Sequence, residues 1–316
     1  MKNQYIKFER KRKIICSANR LLGGNIERFV GIKFAGDKLH SASQGNQWIK
    51  EHISSGKPFM AGRFGLTEMN PVIMRECGFG SQQEREEADK HICIDSGFFP
   101  CDSKAIDQYK EVFLNAIPSM DLMGIYFFIN NEEYIISKYM NNPYCALPRC
   151  LEPFYHKTPW SRELAGKRVL VIHPFVETIK KQYEKRTFLF DDLNILPDFD
   201  LKTIKAVQTL GTESDDRFQS WFEALEWMKM QIAAVDFDIA LLGCGAYGIP
   251  LQAFIKSLGK QSVYIGGGLQ ILFGIKGKRW DSHPFISQLY NEYWVRPDKK
   301  ELIDSYQTVE IGGPYW

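Results

Sequence analysis

No run of this 316-residue chain reaches the ~18 to 20 consecutive apolar residues needed to cross a bilayer. Its first residues, MKNQYIKFERKRKIIC, lack the apolar centre and small-residue cleavage site of a secretory signal. Neither sign of charge dominates: 40 Lys and Arg stand against 38 Asp and Glu, and a net +2 is too small to imply a nucleic-acid partner. The seven cysteines, at 16, 77, 93, 101, 145, 150 and 244, form no CxxC pair and no zinc-like Cys/His spacing. An odd, scattered set of that kind leads us to expect free or buried thiols in a reducing compartment, and hence a cytoplasmic location.

Aromatic side chains are what the chain has in excess. At 14% of residues, they suffice to fill a core and still leave flat rings for stacking on a sugar. Residues 1–56 read as a helical, basic arm, with Arg10 to Lys13 set among Tyr5, Ile6, Phe8, Ile14 and Ile15. Such a cluster suits either solvent or peripheral contact with an anionic membrane surface.

From 57 to 316 the pattern is that of an α/β catalytic domain. Strand-like runs fall at 57–65, 120–129, 168–172, 204–208, 239–242 and 262–265. Helical patterns fall at 67–76, 82–94, 103–116, 132–140, 176–185, 216–235 and 250–258. Thr67 reads as the N-cap of the first, and Thr212, Ser214 or Asp215 as that of the long one. The Pro-rich stretch 142–159 reads as a linker or a long active-site loop, so a subdivision near 142–160 is open. The alternation predicts a Rossmann-like, doubly wound, mainly parallel sheet with helices on both faces. In such sheets ligands collect beyond the carboxyl ends of the strands.

One strand, 239–242, runs into Gly243-Cys244-Gly245-Ala246-Tyr247-Gly248, which satisfies GxGxxG. A dinucleotide site also needs an acid about 20 residues on, at the end of the next strand, to hold the ribose. That strand ends instead in Gly266, Gly267 and Gly268, and no Asp or Glu occurs between Gly248 and Asp281. The absence argues against NAD. The turn, the three glycines and Gln270 then read as backbone for a diphosphate or as plain tight turns. Lys276, Lys278 and Arg279 follow and could neutralise that diphosphate, or form an exposed basic loop.

At the other end of the domain, Ala61 to Glu68 delivers Arg63 to a strand end, a sharp turn at Gly65, and Glu68 in the first turn of a helix. Arg63 suits a phosphate or carboxylate. Glu68 could orient a hydroxyl, act as a base or ligate a metal, or simply offset the helix dipole. His173, directly after the strand RVLVI, is a candidate general base for an acceptor hydroxyl and equally a structural residue at a turn. The C-terminal VEIGGPYW is too aromatic for a disordered tail and should pack onto the fold or close over the cleft.

This layout resembles the GT-D fold glycosyltransferases, whose N-terminal motif reads Arg-x-Gly-Asp-x-Glu after a strand and whose last strands carry a glycine turn and an Ile-Gly ending. Arg63, Gly65 and Glu68 match the motif, Gly243 to Gly248 resembles the turn, and Ile265-Gly266 the ending. The resemblance implies transfer of a sugar from a nucleotide-diphospho-sugar donor to a glycan, polysaccharide-precursor or lipid-linked acceptor. The family's Asp, half of a pair that holds a Mn or Mg ion, is Leu66 here, and leucine cannot ligate a hard cation. The nearby cations are a metal-free alternative. A nucleotide-dependent oxidoreductase and a non-catalytic binding protein on the same scaffold are the rival classes.

Overall fold

The computed structural model describes residues 4–310 and 312–316. The N-terminal part supplies α1 (Gln4–Leu21), a hairpin of β1 (Lys33–Phe34) and β2 (Asp37–Lys38), and α2 (Ala42–Ser55). There follow β3 (Phe59–Arg63), α3 (Leu66–Cys77), α4 (Gln82–Ser96), α5 (Ser103–Ala116), β4 (Leu122–Gly124), α6 (Glu132–Tyr139) and β5 (Tyr144–Ala146). The last half adds β6 (Arg168–His173), α7 (Val176–Tyr183), β7 (Asp200–Lys205), α8 (Trp221–Ala233), β8 (Ile239–Leu242), α9 (Gly248–Ser257), β9 (Gln261–Tyr264) and α10 (Gly268–Leu272).

Strands β3 to β9 form one sheet in the order β5-β4-β3-β9-β8-β6-β7, and all six pairings are parallel. Side chains alternate across it. Met60, Leu170, Ile172, Ala240 and Leu242 enter one core with α3, α5, α8 and α9. Phe59, Ala61, Val169, Val171, Ile239 and Leu241 enter the other with α2, α7 and α10. Both faces are covered, which is why these strands read as continuous apolar runs. The sheet is the doubly wound α/β architecture expected.

Several local expectations differ. The run 120–129 is a strand only at Leu122–Gly124. Beyond it the chain leaves the sheet through Phe127 and Asn131 at φ 64° and 53°, and its apolar residues serve core and cavity instead. β5 lies inside the Pro-rich stretch as a short edge strand, the place where flanking prolines are tolerated. β7 begins four residues earlier than expected; as the other edge strand it is largely polar. α3 is capped by Gly65 rather than Thr67. α8 starts at Trp221, with the Ser220 hydroxyl accepting from the Glu223 N–H, while Asp215 is engaged by Arg217. Cys93 and Cys101 are joined in a disulfide, correcting the expectation of free thiols for that pair. Among the described residues no helix is long and apolar enough to cross a membrane.

Candidate active site

The loop after β3 rises into α3 on one face of the sheet, whereas the loop after its neighbour β9 rises into α10 on the other. Adjacent strands whose connections part in this way leave a crevice at their carboxyl ends. A cavity of about 580 Å³ lies there, bordered by the ends of β3, β6, β8 and β9, the segment 206–210 after β7, the end of α4, and the C-terminal residues. That volume suits a small-molecule ligand.

Three side chains dominate its floor, and each occupies space left by a glycine. The Glu68 carboxyl folds back over Gly65, where a Cβ would lie 2.6 Å from its Cδ. The Arg63 guanidinium passes over Gly266, where a Cβ would lie 2.5 Å from Nη2. The His173 ring lies against Gly243, where a Cβ would lie 2.7 Å from Cδ2. Two of these glycines have no free amide to offer. Gly243 N–H donates to the Ile172 carbonyl (3.0 Å) and Gly266 N–H to the Leu242 carbonyl (3.2 Å). The reading of those two as phosphate-binding amides is therefore corrected: they make room for side chains.

Arg63 faces the cavity with no ion-pair or hydrogen-bond partner among the described residues, its guanidinium 5.3 Å from the centre of the Tyr126 ring. Burial disfavours its charge, but Tyr126, Tyr264, Tyr315 and Glu152 around it outweigh that and hold its pKa above the ordinary value. Glu68 Oε2 accepts from the Thr67 hydroxyl at 3.0 Å, and Ser96 donates in turn to Thr67 Oγ at 2.9 Å. Burial raises the Glu68 pKa; its own backbone N–H at the start of α3, Thr67 and Arg63 pull the other way without cancelling the shift.

His173 is 3% exposed, and its Nδ1 accepts the Phe175 N–H at 3.0 Å. That bond puts the ring proton on Nε2, and burial drives the pKa down to about 3. A neutral ring protonated on Nε2 is a hydrogen-bond donor. The expectation of a general base at His173 is corrected accordingly.

Of the other expected residues, Gly245, Gly267, Gln270 and Arg279 border the cavity. Ala246, Tyr247, Gly248 and Gly268 face inward: Tyr247 stacks on Trp221 at 5.1 Å, Gly248 backs the Tyr264 ring, and Gly268 lies against Glu152. Lys276 rests over the Tyr290 ring and Lys278 reaches the Gly312 carbonyl, so neither borders the cavity. Arg279 does, paired with Glu310 and donating to the Tyr315 hydroxyl.

The C-terminal residues form a wall of the site. Lys278 and Arg279 N–H donate to the Trp316 and Pro314 carbonyls, and Gln270 Nε2 donates to the Tyr315 carbonyl at 3.0 Å. Sequence reasoning missed three further features. Phe128 borders the cavity at 48% exposure and packs at a tilt against Tyr126, with ring centres 4.7 Å apart. Asp95 at the end of α4 holds the Glu310 N–H at 2.7 Å. Glu152 sits in the field of Arg63 and Arg149, its pKa pushed up to about 7 by burial against their pull. Their only signal was position: an aromatic run just after a strand, and an acid in a Pro-rich loop.

Among the described residues no three His, Cys, Asp or Glu side chains converge to hold a metal ion. Glu68 is turned onto its own helix terminus and Leu66 stands 43% exposed at the cavity border, so this donor set does not fit a hard divalent cation.

No protein-family model matches the chain, and no curated protein matches it. Among solved structures it is similar to a selenomethionine-substituted domain of unknown function, DUF1792. The two are 14% identical with a TM-score of 0.38, over 89% of this chain and 95% of that one. The likeness is a weak one, at the level of the fold.

Proposed function

We propose that the chain is a glycosyltransferase that takes a nucleotide-diphospho-sugar donor in the cavity at the carboxyl ends of β3, β6, β8 and β9. The observation that carries this reading is Arg63, a recessed cation with no ion-pair or hydrogen-bond partner among the described residues, facing a cavity of ligand size. An anion opposite would gain a charge-assisted contact from such a group, whose planar fork matches a phosphate. Arg279, paired with Glu310, places a second guanidinium at the cavity border.

In the reaction the acceptor oxygen bonds to the anomeric carbon as the bond from that carbon to the diphosphate oxygen breaks. The electron pair of the broken bond stays with the nucleoside diphosphate, where Arg63 and the His173 Nε2–H stabilise it. The acceptor's proton passes to the Glu68 carboxylate, whose raised pKa makes it a stronger base than an ordinary carboxylate. Phe128, exposed at the cavity border, supplies a ring face against which a sugar or base ring can pack. An oxidoreductase finds no support, because β9 ends at Tyr264 with no acid to read a ribose.

Saturation-transfer NMR against UDP-, GDP- and dTDP-sugars, followed by turnover with the donor that binds, tests the proposal. Binding lost in Arg63→Gln, and turnover lost with binding kept in Glu68→Gln, are the expected results. Binding without turnover for any acceptor class would favour a non-catalytic binding protein, and no binding of any donor would overturn the proposal.

A further inference from the structure

On α1, the exposed residues are Ile6, Lys7, Arg10, Lys13, Ile14, Ser17, Arg20 and Leu21. At 100° per residue they fall within one sector of about 140°. The opposite side is committed to the fold: Tyr5 and Phe8 pack on Tyr134, Ile15 is buried, and Arg12 Nη1 and Cys16 Sγ donate to the Phe127 carbonyl at 3.2 and 3.3 Å. The outward stripe thus carries three aliphatic side chains, Ile14 and Leu21 at 69% and 85% exposure, with four cations and no acid. None of Lys7, Arg10, Lys13 and Arg20 has an ion-pair partner among the described residues, whereas the inner cations Lys11 and Arg12 are paired to Glu133 and Glu9. A shallow depression bordered by Ile6, Arg10, Ile14, Ile32 and Lys33 continues the surface toward the β1–β2 hairpin.

We infer that α1 is an interfacial helix that docks the protein on an anionic lipid bilayer. Aliphatic side chains interleaved with unpaired cations are what a headgroup region accepts, the apolar groups entering the acyl boundary and the cations meeting lipid phosphates. Charge complementarity selects this occupant over a second copy of the chain. A two-fold contact through the same stripe would set four cations against four. The inner face of α1 is tied to the loop whose Phe128 borders the cavity, so docking would hold that aromatic border close to the element that meets the bilayer.

The test is co-sedimentation of the full chain with vesicles of phosphatidylcholine alone and of phosphatidylcholine mixed with phosphatidylglycerol. Binding is expected to the mixed vesicles only, and to fall as salt rises. Lys7→Glu/Arg10→Glu/Lys13→Glu should weaken it by at least roughly a hundredfold, about fivefold for each cation removed. Ile14→Ser should weaken it with the thermal melt unchanged. Equal binding to both vesicle types, no binding to either, or variants that bind like the parent would overturn the inference. So would a stable dimer that Ile14→Asp dissociates. None of these readouts depends on donor binding or turnover.

Discussion

Gly65→Ala isolates the seat of Glu68, because nothing else about position 65 demands glycine. Its backbone sits at φ −85°, ψ 143°, which alanine adopts without strain. The obstacle is the Glu68 carboxyl, 2.6 Å from the new Cβ at its Cδ. A carboxylate at the end of a flexible side chain can swing away, so the cost is less a collision than the loss of what the carboxylate was doing. It would forfeit the Thr67 hydroxyl and the N–H at the start of α3, hydrogen bonds to a charged group worth about 1.5 to 3 kcal/mol each before new contacts offset part of the loss. A destabilisation of about 2 kcal/mol follows. Alanine is also a poorer N-cap than glycine, by up to ~1 kcal/mol, but that term is common to any background. In Glu68→Ala the obstacle is gone, and Gly65→Ala should cost only that capping term. Urea unfolding of the four proteins in this cycle should therefore show a coupling of about 2 kcal/mol, and Gly65→Ala should lose turnover as Glu68→Gln does. Additive effects, within about 0.5 kcal/mol, would refute the seat.

Arg63→Gln should weaken sugar-nucleotide binding by about 30- to 5000-fold, measured by titration calorimetry, since a buried charge contact is worth about 2 to 5 kcal/mol; an unchanged affinity would remove Arg63 from the donor site. His173 has a folded pKa of about 3 against an ordinary 6.5, so the folded state refuses a proton that the unfolded chain takes. Its contribution is whole above pH 6.5 and is lost as pH falls toward 3. The stability gap between the parent and His173→Asn should shrink by about 1.4 kcal/mol per pH unit on acidification through that window, and a constant gap would contradict the neutral, buried ring. Excess EDTA should leave donor binding intact, as the donor set at Glu68 does not fit a cation; abolition by chelation would show that a metal is held. Arg279→Ala should loosen the C-terminal wall and raise the donor Kd, with protease protection of that segment as a second readout.

Residues after strand ends converge in the fold. Arg63, Glu68, His173, Gly243 and Gly266 stand far apart in the chain, yet the parallel sheet brings them to one cavity, as an α/β reading requires. Short apolar runs such as 239–242 were legible because both faces are buried and turn residues bound them. The glycines were not. Gly266 and a phosphate-loop glycine look alike until the guanidinium arriving from β3 is seen to fill the space above it. Nor did the run 120–129 disclose where it leaves the sheet, since an apolar residue lining a cavity and one facing a core are the same letter. Lys276 and Lys278 follow the triple glycine closely in sequence, but Lys276 rests over the Tyr290 ring and Lys278 reaches the Gly312 carbonyl.

The pairing of β3 with β9 has a kinetic consequence. Ala61 and Val263 are register partners about 200 residues apart, so the centre of the sheet closes only when the two ends of the fold meet. Long loops of this kind are entropically slow to close. Helices such as α4 and α5, with contacts mainly to their neighbours, can form beforehand. Arg63 and Gly266 lie just beyond that last seam, which makes ligand binding a late reporter of refolding. After dilution from urea, helical circular dichroism should recover ahead of donor binding.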